Sequence, residues 1–236
     1  MNLKNGIIRT AGLIYILIIV IGVLNAIFID ARLIIPEDIT QTINNIIANE
    51  FLFRLGIACN LILYTMVIIL SVLLYLILKN VNKNFALLAM VFRLGEALMG
   101  IATVLAGFVV LDLLNNQFSP ATIENAQLNI TIGALLSARA NGLYIILALI
   151  GIGGTLFLYL FYKSSSIPAI ISIWGMFTYL SMLILSLIII LIPVFPKIIE
   201  LVVFGAGTLF ELSIGFWLLI KGVDFQQISN NNTELK

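Results

Sequence analysis

Two charged residues, Arg93 and Glu96, stand inside an apolar run long enough to cross a bilayer, in the stretch Phe92-Arg93-Leu94-Gly95-Glu96. Three residues apart, they share one face of a helix. A second deep acid, Glu211, ends the stretch Gly207-Thr208-Leu209-Phe210-Glu211. At about 1.5 Å of rise per residue, both acids lie roughly 15 Å in from the polar ends of their runs at Asn84 and Lys221. Charges at that depth are expensive, and they face protein or a water-filled cavity rather than lipid. One Arg against two Glu leaves a surplus negative charge in a low-dielectric place. Either one carboxyl holds a proton, or a cation or substrate amine completes the set. The chemistry on offer is therefore binding of a proton, an ion or a small polar ligand. The plain alternative is an Arg–Glu pair that sets helix register, with Glu211 neutral.

Small residues accompany both acids. Gly207, Glu211 and Gly215 recur at a spacing of four, and Glu96, Gly100, Thr103 and Gly107 form a similar stripe. Such stripes let helices approach closely in membranes, so contact between the third and sixth runs is expected. Arg54 and Arg139 mark the ends of the second and fourth runs, with Asp112 at the end of the third. They read either as interfacial side chains ion-paired to Asp112, or as the outer entrance of an anion or lipid-headgroup site. Asn25, Asn60 and Asn141 add amide groups near that level, suited to hydrogen bonds between helices.

The elements that must carry these residues are membrane helices. Of 236 residues, 62% are hydrophobic and 10% charged, with a mean hydropathy of +1.19. A water-soluble domain has about a quarter of its residues charged. Six runs meet the spanning requirement of about twenty residues. They lie near 10–29, 55–78, 85–111, 141–162, 169–192 and 198–220. The fold class is accordingly all-α, one bundle of six transmembrane helices over 1–223 followed by a polar cytoplasmic tail over 224–236. The first run is longer than a signal-peptide core and lacks a small-residue cleavage site before Asp30, so it reads as a retained helix.

Lys4, Arg9, Lys79, Lys83, Lys163, Lys221 and Lys236 fall on one side of these spans, and a net acidic set falls on the other. The basic side is cytoplasmic by the positive-inside rule, which puts both termini inside. Two longer loops then lie outside. In the first, Asp38-Ile39-Thr40-Gln41 reads as an N-cap with a partner three residues on, and Ile39, Ile43, Ile46, Ile47 and Phe51 follow at helical spacing. In the second, Ser119-Pro120 starts a helix whose stripe is Ile123, Ala126 and Ile130. Both read as short amphipathic helices on the extracytoplasmic side, serving as connectors or as a lid.

Several functions are excluded. The chain has no histidine, which removes imidazole bases and His-ligated haem, zinc or di-iron sites. Cys59 is the single cysteine, so no intrachain disulfide or redox pair forms. No basic patch suits nucleic acid, and no Gly-rich loop suits a nucleotide phosphate. A catalytic reading would need Glu96 and Glu211 as acid and base, and the sequence leans away from it. No cofactor is expected. The partners expected are the lipid bilayer and a lipid or small-molecule ligand, and six helices leave room for a homodimer.

The tetrapeptide Phe-Arg-Leu-Gly occurs twice, at Phe53–Gly56 and Phe92–Gly95, and the deep acids fall in the third helix of each three-helix half. An inverted repeat of the transporter kind would show such a pattern. Further stretches carry a resemblance. They are Arg9-Thr10-Ala11-Gly12-Leu13-Ile14-Tyr15, Leu52-Phe53-Arg54-Leu55-Gly56, Phe92-Arg93-Leu94 with Glu96, Ser166-Ile167-Pro168, and Glu211 leading into Trp217-Leu218-Leu219-Ile220-Lys221-Gly222-Val223. In these the chain resembles the bacterial multi-pass membrane family known as domain of unknown function 4386. The resemblance implies that Arg54, Arg93, Glu96 and Glu211 sit at motif positions of that family. It also implies a departure at Arg139, where members often carry a histidine. The sequence reading is thus an integral protein of the cytoplasmic membrane of a prokaryote that binds or transports a small molecule, lipid or ion. Arg93, Glu96 and Glu211 form its polar centre, and Arg54 and Arg139 line the entrance. The competing reading is a structural or regulatory membrane partner in which the same charges serve packing alone.

Overall fold

The computed structural model describes residues 3–115, 125–192 and 195–224. Among them every regular element is a helix. The order is α1 (Leu3–Asn25), α2 (Ala31–Leu33), α3 (Ile39–Ala48), α4 (Glu50–Leu78), α5 (Lys83–Leu114), α6 (Asn125–Lys163), α7 (Ala169–Leu191) and α8 (Lys197–Ile220). A π-helical turn, Ala26–Asp30, joins α1 to α2. Six stretches are long and apolar enough to cross a membrane: Asn5–Leu33, Glu50–Leu78, Lys83–Leu114, Gln127–Lys163, Ala169–Leu191 and Lys197–Ile220.

The six expected runs coincide with these stretches, but the ends differ. Sequence hydropathy stops at the first charge, whereas a helix continues until its backbone bonds find another partner. Asp30 and Arg32 are therefore inside the first stretch, carried past Asn25 by the π turn. The largest difference is at α6, expected from Asn141 and found from Asn125. The separate second loop helix is corrected accordingly. Its cap at Ser119-Pro120 lies outside the described residues, and its described end forms the first turns of α6. The inward face there is Leu128, Ile132, Leu135 and Leu136, at helical spacing, while the expected Ile130 is exposed. Of the polar tail, only Asp224 is described.

Residue packing divides the chain into two compact units. The first comprises Met1–Ile19, Thr65–Ala97 and Tyr144–Lys236. Its close contacts run through glycines. A Cβ on Gly12 in α1 would lie 2.5 Å from the Leu219 amide nitrogen and 2.6 Å from the Gly215 carbonyl oxygen of α8. In α6, Gly154 faces the ring of Tyr179, and Gly151 lies against the Tyr179 carbonyl. Gly175 in α7 receives the ring of Phe210, which meets Trp174 and Tyr179 edge-on at centroid distances of 5.6 and 5.5 Å. At the end of α8 the Gly222 amide donates to the Trp217 carbonyl at 3.0 Å, with φ +79°. That left-handed step is one glycine adopts readily.

The second unit comprises Val20–Tyr64 and Leu98–Leu143. Its core is mostly aliphatic, built on Ile29, Leu33, Ile43, Ile46, Ile57 and Ile132 with Phe53 among them. Helix α3 starts where the Asp38 carboxylate accepts from the Gln41 amide at 2.8 Å. Thr42, Ile43 and Ile46 are buried, whereas Ile47 and Phe51 are exposed, so the expected stripe divides between two faces. Thr42 fastens α3 to the preceding segment, accepting from the Ile35 amide at 2.8 Å and donating to its carbonyl at 3.1 Å. The two Phe-Arg-Leu-Gly copies sit in unlike surroundings. Arg54 is half exposed and Arg93 is buried. Gly56 is crowded by Ile29, and Gly95 meets only Leu149 at van der Waals distance.

Candidate functional site

The first unit brings Arg93, Glu96 and Glu211 together. Arg93 and Glu96 project from one face of α5, and Glu211 projects from α8 next to Phe210. All three are buried, at 2%, 4% and 7% exposure. Arg93 Nη1 lies 2.8 Å from Glu96 Oε2. The contact joins opposite charges, but its N–H direction is not that of a hydrogen bond. Arg93 Nε, Arg93 Nη1 and Glu96 Oε2 are buried with no hydrogen-bond partner among the described residues.

Two tyrosines complete the centre, and the sequence reading missed both. Tyr179 on α7 donates its hydroxyl to Glu211 Oε1 at 2.8 Å. Tyr15 on α1 is an electrostatic neighbour of Arg93 and Glu211. Both are almost fully buried. The guanidinium of Arg93 therefore has Glu96, Tyr179, Tyr15 and Glu211 as its electrostatic neighbours. A signal was present in the sequence. A tyrosine in the middle of a spanning helix must find a partner for its hydroxyl, just as a deep acid must.

Glycines set these distances. Closeness of Gly12 to Gly215 draws α1 against α8, and a Cβ on Gly215 would lie 3.1 Å from Tyr15 Cβ. Gly153 of α6 leaves room for the stem of Arg93, whose Cγ would lie 3.0 Å from an added Cβ. Gly154 accommodates the Tyr179 ring from the same helix. A larger residue at these points would push apart the helices that deliver the polar groups.

Arg54 and Arg139 do not join this centre. Arg54 Nη2 pairs with Glu50 in its own helix at 2.6 Å, with both side chains more than a third exposed. Glu50 also accepts from Asn115 at 3.2 Å. Arg139 Nη2 reaches Asp30 at 3.0 Å and lies over the Phe53 ring. The ion pair expected with Asp112 is thus corrected: each Arg has a different acid, one helix turn away or on the π turn. The π turn makes the second arrangement, because its five-residue spacing puts Asp30 Oδ2 3.1 Å from Asn25 Nδ2. Asn25 also approaches Asn60 at 3.5 Å, while Asn141 is exposed. A shallow pocket of about 650 Å3 lies elsewhere, along the Lys163–Ala169 connection and Asp224, and no residue of the buried centre lines it.

Six helices long and apolar enough to cross a membrane, carrying a buried set of charges, fit a multi-pass integral membrane protein. Residues 10–222 match the family described as domain of unknown function DUF4386. The chain belongs to that family. No curated protein and no solved structure matches it.

Proposed function

We propose that this protein binds, and in doing so carries or senses, a small polar or ionic ligand at the centre formed by Arg93, Glu96 and Glu211. One observation carries the reading. Of five buried side-chain atoms without a hydrogen-bond partner among the described residues, three belong to Arg93 and Glu96. A pair kept only for packing is expected to be fully satisfied, since a half-satisfied buried network is worse than an apolar core. Donors on Arg93 and an acceptor on Glu96 suit a guest that both accepts and donates. In this reading the protein lies in the cytoplasmic membrane of a prokaryote with both termini inside, as the distribution of Lys and Arg supports. Helix α3 then lies on the extracytoplasmic side, with Ile47 and Phe51 turned toward the interface.

A structural role is the second reading, favoured by the glycine-mediated closeness of α1, α6 and α8 around the charges. Native mass spectrometry of the full chain released from detergent separates the two. Binding predicts a retained small molecule or ion that is lost in Glu96→Gln and Glu211→Gln at near-normal folded yield. A bare wild-type chain, with both variants poorly folded, would overturn it in favour of packing.

A further inference from the structure

The unpartnered atoms of Arg93 and Glu96 narrow the class of ligand. Arg93 Nη1 and Glu96 Oε2 lie 2.8 Å apart, a donor beside an acceptor, and neither is hydrogen-bonded among the described residues. Arg93 Nε is a further unpartnered donor on the same guanidinium. A guest that serves Nη1 and Oε2 together must present an acceptor beside a donor at a matching separation. An oxygen and a nitrogen on adjacent carbons meet this, because in the gauche rotamer they sit roughly 3 Å apart.

Charge decides which of the two is the cation. Arg93, Glu96 and Glu211 are buried in one compact unit, with one positive and two negative formal charges. Tyr179 gives Glu211 a hydrogen bond at 2.8 Å but no charge. The set is one positive charge short. A bare metal ion restores the balance, yet it leaves both Arg93 nitrogens unpaired beside a second cation. Among the described residues no three Asp, Glu, Cys or His side chains come together to hold one. An anion suits Arg93 and deepens the negative surplus. An alcohol fills the hydrogen bonds and leaves the surplus as it is. An ammonium group with an oxygen on the next carbon meets both demands. Its N–H donates to Glu96 Oε2, its oxygen accepts from Arg93 Nη1, and its charge offsets the second acid. Gly153 and Gly154 hold α6 against the Arg93 stem and the Tyr179 ring, which favours a short guest.

We infer that the ligand of this centre is a short protonated amine with an oxygen on the neighbouring carbon, the pattern of ethanolamine, bound between Arg93 Nη1 and Glu96 Oε2 with Glu211 balancing its charge. The inference rests on the binding reading proposed above. Free amino alcohols and the headgroup of an ethanolamine phospholipid share this chemistry. An alkylamine is charged at neutral pH, as a lysine side chain is.

Scintillation-proximity binding of radiolabelled ethanolamine to the full chain, delipidated in detergent, tests this directly. The expected result is saturable binding that unlabelled ethanolamine displaces, with ethylamine at least about tenfold weaker for want of the oxygen. Ethanol, choline and acetate should not displace it, since they lack the charge, the N–H and the positive sign respectively. The double variant Arg93→Met, Glu96→Leu should lose binding, and Glu211→Gln should weaken it about tenfold. The displacement series on the wild type needs no variant, so it stands even where a variant fails to fold. Ethylamine or ethanol displacing as well as ethanolamine overturns the inference, and so does binding that survives in the double variant. Native mass spectrometry before delipidation distinguishes the sources. An ethanolamine phospholipid retained by the wild type and lost in the double variant supports the inference with the headgroup as ligand, whereas a retained free amine supports it with the soluble compound. A retained anion or uncharged molecule would sink the amine alone and leave ligand binding standing. A wild-type chain that binds no probe and retains nothing overturns both.

Discussion

The two polar clusters of this protein use similar residues in opposite ways. Around Arg93 an arginine, two glutamates and two tyrosines are buried, with glycines bringing the helices together. Around Arg139 the partners are Asp30, Asn25 and Asn60, and the Arg139 and Asp30 side chains are 15% and 37% exposed. In the second cluster the carboxylate is engaged on both oxygens, by Arg139 and Asn25. In the first, the Arg93–Glu96 contact is short yet leaves donors and an acceptor over. A pair near the end of a span can draw on polar surroundings for what the chain does not supply. A fully buried pair cannot, so the unfilled hydrogen-bonding capacity there is what supports the proposed binding reading.

Breaking the buried pair has the largest expected effect. Arg93→Met leaves Glu96 buried beside Glu211 with no cation, at a loss of about 3–5 kcal/mol. Denaturant unfolding of the detergent-solubilised chain measures it. The double variant Arg93→Met, Glu96→Leu should recover most of the loss, because an apolar replacement of a whole pair is nearly neutral. A double variant no better than the single would mean that Arg93 chiefly serves Glu211, which would make the centre one unit of three.

Next come the glycines that build each region. Gly12→Ala meets backbone atoms of α8 that cannot turn aside, so a loss of about 1–3 kcal/mol is expected. Gly107→Ala in the second unit meets only the Ile57 side chain at 3.2 Å, which can shift, and its loss should be under about 1 kcal/mol. The same unfolding assay ranks them. Equal losses would remove the contrast between a backbone-tight region and one packed by flexible side chains.

The smallest effects belong to the outlying arginines. Arg139→Ala removes a half-buried ion pair and a contact over Phe53, and about 1 kcal/mol is expected. Arg54→Ala should leave unfolding unchanged, since its pair with Glu50 is exposed and of the i, i+4 type. An Arg54 variant as damaging as the Arg139 one would show that exposure does not rank these pairs.

Much of this was legible from residue order. Six spans follow from runs of apolar residues, because the bilayer requirement acts on local composition and needs no knowledge of partners. Arg93, Glu96 and Glu211 stood out for the same reason, as charges where charge is expensive. Helix ends were less legible. The π turn at Ala26–Asp30 and the long start of α6 place Ile29 and Ile132 in one hydrophobic cluster, whose members are distant in sequence. Partner choice was least legible. Asp112 looked the natural acid for Arg139, yet Asp30 takes it, 109 residues away.

Sequence alone determined that this chain carries six runs long and apolar enough to cross a membrane and that two acids and an arginine lie within them. Those facts follow from transfer of each residue between water and lipid, a property of the residue itself. Tertiary structure decided what surrounds the charges. Tyr179 bonds Glu211, and Tyr15 comes near it, where Gly12, Gly154 and Gly215 let the helices close to contact distance. Hydrogen bonding acts over about 3 Å, so it is settled by that approach and not by the order of residues along the chain.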